Sequence, residues 1–177
     1  MVYRRRIQMK NTSFTRGFTL LELMSVLAIM GILIAIAAPG YRNIMAREKV
    51  RTALNEWQSS FYFAQSEALR LKEGVIFCSS VDGKMCSKNN DFGVGWIVFY
   101  QDPDNNNKNT ILQDVAIQDN DMSIMLKPPV LQGTLRFYGD GRLRINAGGS
   151  VDILKKGVTD SKMTLNISSA GRLSNSK

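Results

Sequence analysis

Apolar residues follow three spacings along the chain, and each spacing predicts a different element. Residues 18–38 are almost unbroken apolar sequence, about 20 residues that would form roughly 30 Å of helix. That length matches the hydrocarbon thickness of a bilayer. We therefore predict a transmembrane helix over residues 18–39, with a kink or short break at Pro39 and Gly40.

The second spacing is amphipathic and helical, over residues 40–74. Apolar residues recur there at steps of three and four, which predicts one stripe formed by Val50, Leu54, Trp57, Phe61, Ala64, Ala68 and Leu71. Gly74 is expected to end this helix. Coiled-coil dimerisation is the alternative use of the stripe, but the run is short and β sequence follows directly.

The third spacing is the alternation typical of strands, and it fills residues 75–177. Gly, Asn, Asp and Pro separate short apolar runs, which predict strands at residues 75–78, 96–100, 111–117, 135–138, 143–145, 151–154 and 163–167. No second helix is predicted. The simplest packing lays the helical stripe across an antiparallel sheet, which gives an α+β fold class.

A basic segment precedes the apolar run. Residues 1–17 contain no acid and five basic residues, which are Arg4, Arg5, Arg6, Lys10 and Arg16. Glu22 then lies inside the apolar run. An ionised side chain in lipid costs at least ~2.5 kcal/mol, so Glu22 is a functional candidate. The alternative is a polar residue tolerated near the membrane interface.

Residues 17–22, Gly-Phe-Thr-Leu-Leu-Glu, resemble the type IV pilin cleavage motif. The resemblance implies that residues 1–17 are a prepilin leader peptide, cut after Gly17 by a prepilin peptidase that N-methylates Phe18. It also implies that the helix is kept as a filament core, where Glu22 pairs with the N-terminal amine of a neighbouring subunit. An ordinary secretory signal, cut after the small residues 35–38, is the alternative.

The rest of the chain resembles the GspH/FimT group of minor pilins and pseudopilins. The supporting residues are Gln65-Ser66-Glu67-Ala68, Gly95-Trp96-Ile97-Val98-Phe99 and Ser168-Ser169-Ala170-Gly171-Arg172. This resemblance implies the type IV pilin fold, a long N-terminal helix packed on an antiparallel β-sheet domain, with other major and minor pilins or pseudopilins as partners. It predicts a minor pilin, assembled in low copy into a type IV pilus. The alternative is a type II secretion system minor pseudopilin H that acts in protein secretion without binding DNA.

Charge predicts the topology. The basic leader should stay in the cytoplasm, which predicts a single-pass membrane protein with residues 75–177 on the other side. Together with the resemblance, this implies the bacterial inner membrane, a periplasmic domain and later incorporation into a filament. Disulfides persist in the periplasm. Cys78 and Cys86 flank a turn-rich loop, so a disulfide between them is expected; two free thiols are the alternative.

The basic residues of the mature chain concentrate near its C-terminus. The formal net charge is +8, but the leader carries five of the basic residues, and residues 123–177 carry a net +6. Residues 135–145 predict a hairpin with a three-residue loop and Gly141 in the left-handed conformation. This register pairs Leu135 with Ile145 and Phe137 with Leu143, and it places on the opposite face Arg136, Tyr138, Arg142 and Arg144.

That polar face is the candidate DNA-binding surface, because arginines hold phosphates and an aromatic ring stacks on bases. Some FimT-type minor pilins bind DNA in natural transformation through a Gly-Arg-x-Arg motif near the C-terminus. Here the full motif occupies residues 141–144 in mid-domain, whereas residues 171–174 have serine in its last position. Double-stranded DNA is the implied partner, and the residues expected to extend the surface are Lys162, Arg172 and Lys177. A solvated face of ion pairs is the alternative.

Composition excludes most enzyme classes. The absence of His removes Ser-His-Asp and Cys-His catalysis and the commonest transition-metal ligand. Two cysteines are too few for a four-cysteine zinc site. Residues 102–108 have the alternating oxygens of a calcium loop but lack its glycine and bidentate glutamate, so a polar turn is expected there. No catalytic residue, metal or cofactor is predicted.

Overall fold

The computed structural model describes residues 17–102, 108–117, 119–127, 133–144, 149–158 and 161–175, and for residues 37–39 and 102 it describes only the backbone. Helix α1 covers Leu20–Leu71. The strands that follow are β1 (Val75–Ser79), β2 (Trp96–Asp102), β3 (Lys108–Val115), β4 (Met122–Lys127), β5 (Thr134–Phe137), β6 (Gly149–Lys155), β7 (Met163–Ile167) and β8 (Leu173–Asn175). A 3-10 turn, Phe92–Val94, precedes β2.

The chain divides into two compact units, one ending at Gly40 and the other beginning at Tyr41. In the first unit the apolar side chains of α1 are exposed all round, from Leu20 at 78% to Ile36 at 74%. By length and composition, no single helix among the described residues is long and apolar enough to cross a membrane. Leu20–Ile36 and Gly40–Leu71 are long and apolar enough only when they are taken together as a bent pair. The transmembrane role of residues 18–39 therefore stays a prediction.

The β residues form two antiparallel four-stranded sheets, where the sequence suggested one. Sheet A has the strand order β3-β2-β1-β5, and sheet B has the order β4-β6-β7-β8. Strands β4 and β8 were not predicted. Of the predicted strand at 143–145, only a bridge from Leu143 to Phe137 is seen, and Ile145 lies outside the described residues.

The predicted stripe of α1 is confirmed as the centre of the main core. Its members from Val50 to Ala68 are buried, and they pack against strands of both sheets. Trp57 lies with its ring centroid 5.4 Å from that of Phe77 in β1. In the same core the indole N–H of Trp96 donates to Ser60 Oγ over 2.9 Å. One helical face therefore holds sheet A and sheet B together.

A second, smaller core lies on the opposite face of sheet A. It contains Ile76, Cys78, Ile97 and Phe99, with Cys86 packed against it. The predicted disulfide between Cys78 and Cys86 is present, with the Cα atoms 5.6 Å apart. The loop that it closes therefore covers a sheet face that the helix does not reach.

Helix α1 ends earlier than predicted. Its last residue is Leu71, and Lys72 takes a left-handed conformation with φ 58°, a position usually held by glycine. A side chain on Gly139 would collide with the carbonyl of Lys72. The helix therefore ends three residues before Gly74, at a left-handed lysine against which the Gly139 turn packs.

Candidate functional site

The N-terminal site comprises Gly17, Phe18 and the first turn of α1. Gly17 and Phe18 precede the helix, and the Phe18 side chain is 79% exposed. The backbone N–H of Glu22 donates to Thr19 Oγ1 over 3.2 Å, so Thr19 caps the helix. The peptide bond between Gly17 and Phe18 consequently lies outside the helical backbone.

Glu22 occupies the first turn of α1 and its side chain is exposed. Thr19 and Glu22 have the spacing of a capping box, and the helix dipole favours a carboxylate in this turn. The cap itself uses only the backbone N–H of Glu22, so it is compatible with the predicted pairing of the carboxylate to a neighbouring amine.

The basic hairpin has the predicted register. The Tyr138 N–H donates to the Arg142 carbonyl over 2.8 Å, and the Arg144 N–H donates to the Arg136 carbonyl over 2.7 Å. Gly141 has φ 76°, as the three-residue loop requires. Leu135, Phe137 and Leu143 are buried, whereas the exposed face consists of Arg136, Tyr138, Arg142 and Arg144. We call these four residues the basic face.

The end of α1 positions this hairpin. Gln65 Nε2 donates to the Gly141 carbonyl over 2.8 Å. A Cβ atom on Gly141 would lie 3.0 Å from Leu69 Cγ. The glycines at 139 and 141 therefore let the turn approach the last turns of the helix, and the turn is fixed on a rigid element.

The arginines of the basic face differ in their pairing. Arg142 Nε lies 2.7 Å from Asp140 Oδ2, and the Arg142 side chain is 74% exposed. The backbone N–H of Arg142 and then its guanidinium hold the pKa of Asp140 below its ordinary value. Within the described ranges, no carboxylate lies within ion-pair distance of Arg136 or Arg144. The alternative interpretation of the basic face, as a solvated surface of ion pairs, therefore holds for Arg142 but not for Arg136 or Arg144.

A second turn repeats the geometry of the first. The Gly171 N–H donates to the Ser168 carbonyl over 2.9 Å, as that of Gly141 does to Tyr138 over 2.8 Å. Gly171 has φ 70°. A Cβ atom on Gly171 would lie 3.3 Å from the Gly141 carbonyl oxygen and 2.5 Å from Gln65 Nε2. The two partial motifs of the sequence, at 141–144 and 171–174, are thus neighbours in space, and Gln65 lies against both turns.

The remaining predicted DNA-binding residues divide into three groups. Arg172 is exposed directly after Gly171, so it lies beside the first turn. Lys162 instead pairs with Asp152 at 3.0 Å and lines a different groove, together with Arg51 and Asn55 of α1. Lys177 lies outside the described residues, as do most residues of the loop at 102–108. Lys162 is therefore not part of the basic face.

Sequence reasoning missed the two groups that organise the basic face. Asp140 was assigned only to the loop, although it pairs with Arg142. Gln65 was noted as part of a family signature, without a structural role. Gln65 is half-buried between the buried Phe61 and Ala68, which only the structure shows, so the sequence offered no signal for it. Among the described residues, no group of three metal-ligating side chains is found.

Comparison with known proteins gives two family matches. The profile described as "Type II transport protein GspH" matches residues 53–171, and that described as "Prokaryotic N-terminal methylation motif" matches residues 13–38. A Pseudomonas aeruginosa protein described as "Fimbrial protein" is 48% identical over 67 residues, which cover 38% of this chain and 44% of that protein. The type IV major fimbrial protein FimA of Dichelobacter nodosus is 54% identical over 44 residues, 25% of this chain and 28% of FimA. The chain thus matches less than half the length of these relatives.

Solved structures support the fold. The type IV minor pilin FimU of Pseudomonas aeruginosa superimposes with a TM-score of 0.58 at 21% identity, covering 74% of this chain and 90% of FimU. The minor pseudopilin EpsH of the Vibrio cholerae type 2 secretion system gives a TM-score of 0.50 at 11% identity, covering 72% and 95%. The architecture is therefore that of type IV pilin-fold proteins. Since the GspH profile covers more than half of the sequence, the chain belongs to the type II transport protein GspH family, whose members are structural pilin or pseudopilin subunits and not enzymes.

Proposed function

We propose that the chain is a minor pilin that is made as a membrane prepilin, cut after Gly17 by prepilin peptidase, N-methylated on Phe18 and assembled in low copy into a type IV pilus. In this proposal residues 18–39 anchor it as a single pass in the inner membrane, with the C-terminal domain in the periplasm. Glu22 then pairs with the N-terminal amine of a neighbouring pilin, which removes an isolated charge from an apolar layer.

The observation that carries this proposal is the position of the Gly17–Phe18 peptide bond, directly ahead of a capped helix and within the matched methylation motif. Apart from the chain neighbours of Gly17, no atom of residues 17–175 that the structure describes lies within 4 Å of the position that a Cβ atom on Gly17 would take. A peptidase can therefore approach the bond while the helix stays intact.

Mass spectrometry of the chain recovered from membranes tests the processing step. We expect a mature N-terminus at Phe18 carrying one methyl group, and accumulation of the uncut chain for Gly17→Val, whose branched side chain would lie beside the scissile bond. Gly31→Val, inside the helix that follows, is the matched control and should be processed normally. A mature chain beginning after the small residues 35–38 would contradict the proposal and favour a secretory signal.

A type II secretion pseudopilin is the second candidate for the same processed subunit, and the description of the matched profile as a type II transport protein supports it. Pilins and pseudopilins share the same kind of leader and helix, so only the phenotype of a deletion distinguishes the two roles. Deletion of the gene should impair piliation and leave protein secretion intact if the pilus proposal is right. Loss of secretion with normal piliation would assign the chain to a pseudopilus.

We also propose that the basic face binds DNA for uptake in natural transformation. Two observations support it: Arg136 faces Arg144, which is unfavourable unless an anion lies between them, and the adjacent turn adds Arg172. Binding of double-stranded DNA by the full chain in non-ionic detergent should weaken with salt, with a log–log slope of about 0.9 per phosphate contacted. A slope near zero, or unchanged binding by the triple variant Arg136→Ala, Arg142→Ala and Arg144→Ala, would refute DNA binding.

A further inference from the structure

Tyr138 and Arg144 form a ridge between two hollows on the basic face. The first hollow, of about 690 Å³, has Asp140, Arg142 and Ser169 among its other lining residues. The second hollow, of about 290 Å³, is lined on its far side by Glu73 and Gln101 and includes Arg136. The Tyr138 side chain is 48% exposed, so its ring is accessible from solvent on the ridge.

Charge is distributed unequally between the two hollows. In the first, the Asp140 carboxylate already holds Arg142, and a phosphate there would meet that carboxylate. In the second, one carboxylate, that of Glu73, also lies on the lining, but Arg136 and Arg144 outnumber it and are held together by the Arg144 N–H bond to the Arg136 carbonyl. Within the part of the chain that the structure describes, neither guanidinium has an ion-pair partner. Phosphate should therefore be held by Arg136 and Arg144, not by the arginine that follows Gly141.

An aromatic ring on such a ridge can stack only on a base whose face is free. In a duplex both faces of each base are covered by neighbouring bases, whereas unpaired bases stack readily on protein aromatic rings.

From this geometry we propose that the basic face takes unpaired nucleotides, with Tyr138 stacking on a base and Arg136 and Arg144 binding the adjacent phosphate. The proposal rests on DNA binding by this face and names the form of DNA that it accepts. Arg142 serves the site as the partner of Asp140, which fixes the turn. Single-stranded DNA, such as a strand end or a locally opened duplex, is thus the ligand class.

Fluorescence anisotropy with the full chain in non-ionic detergent tests the proposal. Three labelled probes of equal length are compared: single-stranded oligothymidine, a blunt duplex, and an abasic single strand that keeps the phosphates but lacks bases. We expect oligothymidine to bind roughly tenfold more tightly than either of the others, because stacking is worth roughly 5- to 100-fold per base.

Variants separate the roles of the side chains. Tyr138→Ala should lower the affinity for oligothymidine to that for the abasic strand. Tyr138→Phe should still bind oligothymidine more tightly than the abasic strand, which also shows that a substitution at this position leaves the fold intact. Arg136→Gln and Arg144→Gln should each weaken all single strands more than Arg142→Gln does.

The outcomes distinguish the two levels of the proposal. Equal or tighter binding of the duplex, or an oligothymidine affinity unchanged in Tyr138→Ala, overturns the preference for unpaired nucleotides while DNA binding stands. Failure of every probe to bind at low salt overturns DNA binding itself. A larger loss for Arg142→Gln than for Arg136→Gln overturns the assignment of the phosphate contact.

Discussion

The side chain of Gln65 joins helix α1 to the basic hairpin by donating from Nε2 to the carbonyl oxygen of Gly141 over 2.8 Å. Gly141 is buried at the tip of the turn, so its carbonyl has little access to water. The same amide nitrogen lies against Gly171 of the second turn. One side chain therefore sets the position of both Gly-Arg turns relative to the helix, and the basic face depends on it.

Gln65→Leu should lower the free energy of unfolding by about 1 kcal/mol, because it leaves a buried carbonyl without its donor. Urea unfolding of the full chain in detergent measures the loss. Gln58→Leu is the matched control: it lies two helical turns earlier, is half-buried and lines the groove with Lys162. An equal loss in the two variants would show that the bond to Gly141 is not what matters.

Gly171→Ala should destabilise the protein by about 1–3 kcal/mol for two separate reasons. The left-handed conformation disfavours any side chain, and the new Cβ atom would meet Gln65 Nε2 at 2.5 Å. Gly157→Ala isolates the first reason, since Gly157 has φ 79° with open space around it. Thermal unfolding should therefore show a larger loss at 171 than at 157. Adding Gln65→Ala to Gly171→Ala should recover part of the difference.

The free energy of unfolding should fall as the pH drops from about 4 to about 2, and Asp152 should carry part of that fall. Burial alone would raise the pKa of Asp152, but hydrogen bonds from Lys127, Thr164 and Lys162 outweigh it and lower the pKa to about 2. Since an unfolded Asp titrates near pH ~3.9, the native state gains stability above that pH and loses it as the carboxylate is protonated.

Asp152→Asn should lower the free energy of unfolding by about 1–2 kcal/mol at neutral pH and make its decline below pH 4 shallower. The effect is limited because the side chains of Lys127 and Lys162 are half exposed to water. Urea titrations at several pH values measure both quantities. Asp121→Asn, an exposed carboxylate, is the control. If the free energy of unfolding of Asp152→Asn fell below pH 4 as steeply as that of the unmodified protein, the assignment to Asp152 would be wrong.

Removing the disulfide should cost about 2–3 kcal/mol, the loop-entropy value for so short a closed loop. The double variant Cys78→Ala and Cys86→Ala, unfolded in urea beside the oxidised protein, gives the difference. The loss should exceed that value if the loop also stops covering Ile97 and Phe99. Reduction of the unmodified protein should reproduce the result, and no change on reduction would mean that the loop is held by its hydrogen bonds alone.

Glu22→Ala should leave the protein in the membrane and block its recovery in sheared pili, because the neighbouring amine would lose its counter-charge in an apolar layer. Immunoblots of membrane and sheared-filament fractions measure the two populations. Ser25→Ala, one turn further along the exposed helix, controls for general effects of substitution there. Normal recovery of Glu22→Ala in pili would contradict the assembly role.

Much of the architecture could be predicted from local pattern. The apolar stripe from Val50 to Ala68 predicted the helical face that forms the core, because 3.6-residue periodicity is a property of sequence. The disulfide followed from the compartment and the loop. The hairpin register followed from face alternation, since a shift of one residue would have buried Arg144.

What the sequence by itself determined is the order of elements, the buried face of each and the chemistry of the N-terminal motif, because these depend on neighbours along the chain. Only the tertiary structure decided that the strands divide into two sheets, that α1 stops at Leu71 and that Lys162 leaves the basic face. It also brought Gly141 and Gly171, with their arginines, together at the amide nitrogen of one glutamine. The physical reason is that such contacts join residues far apart in sequence, and they form only where backbone shape lets turns approach a helix.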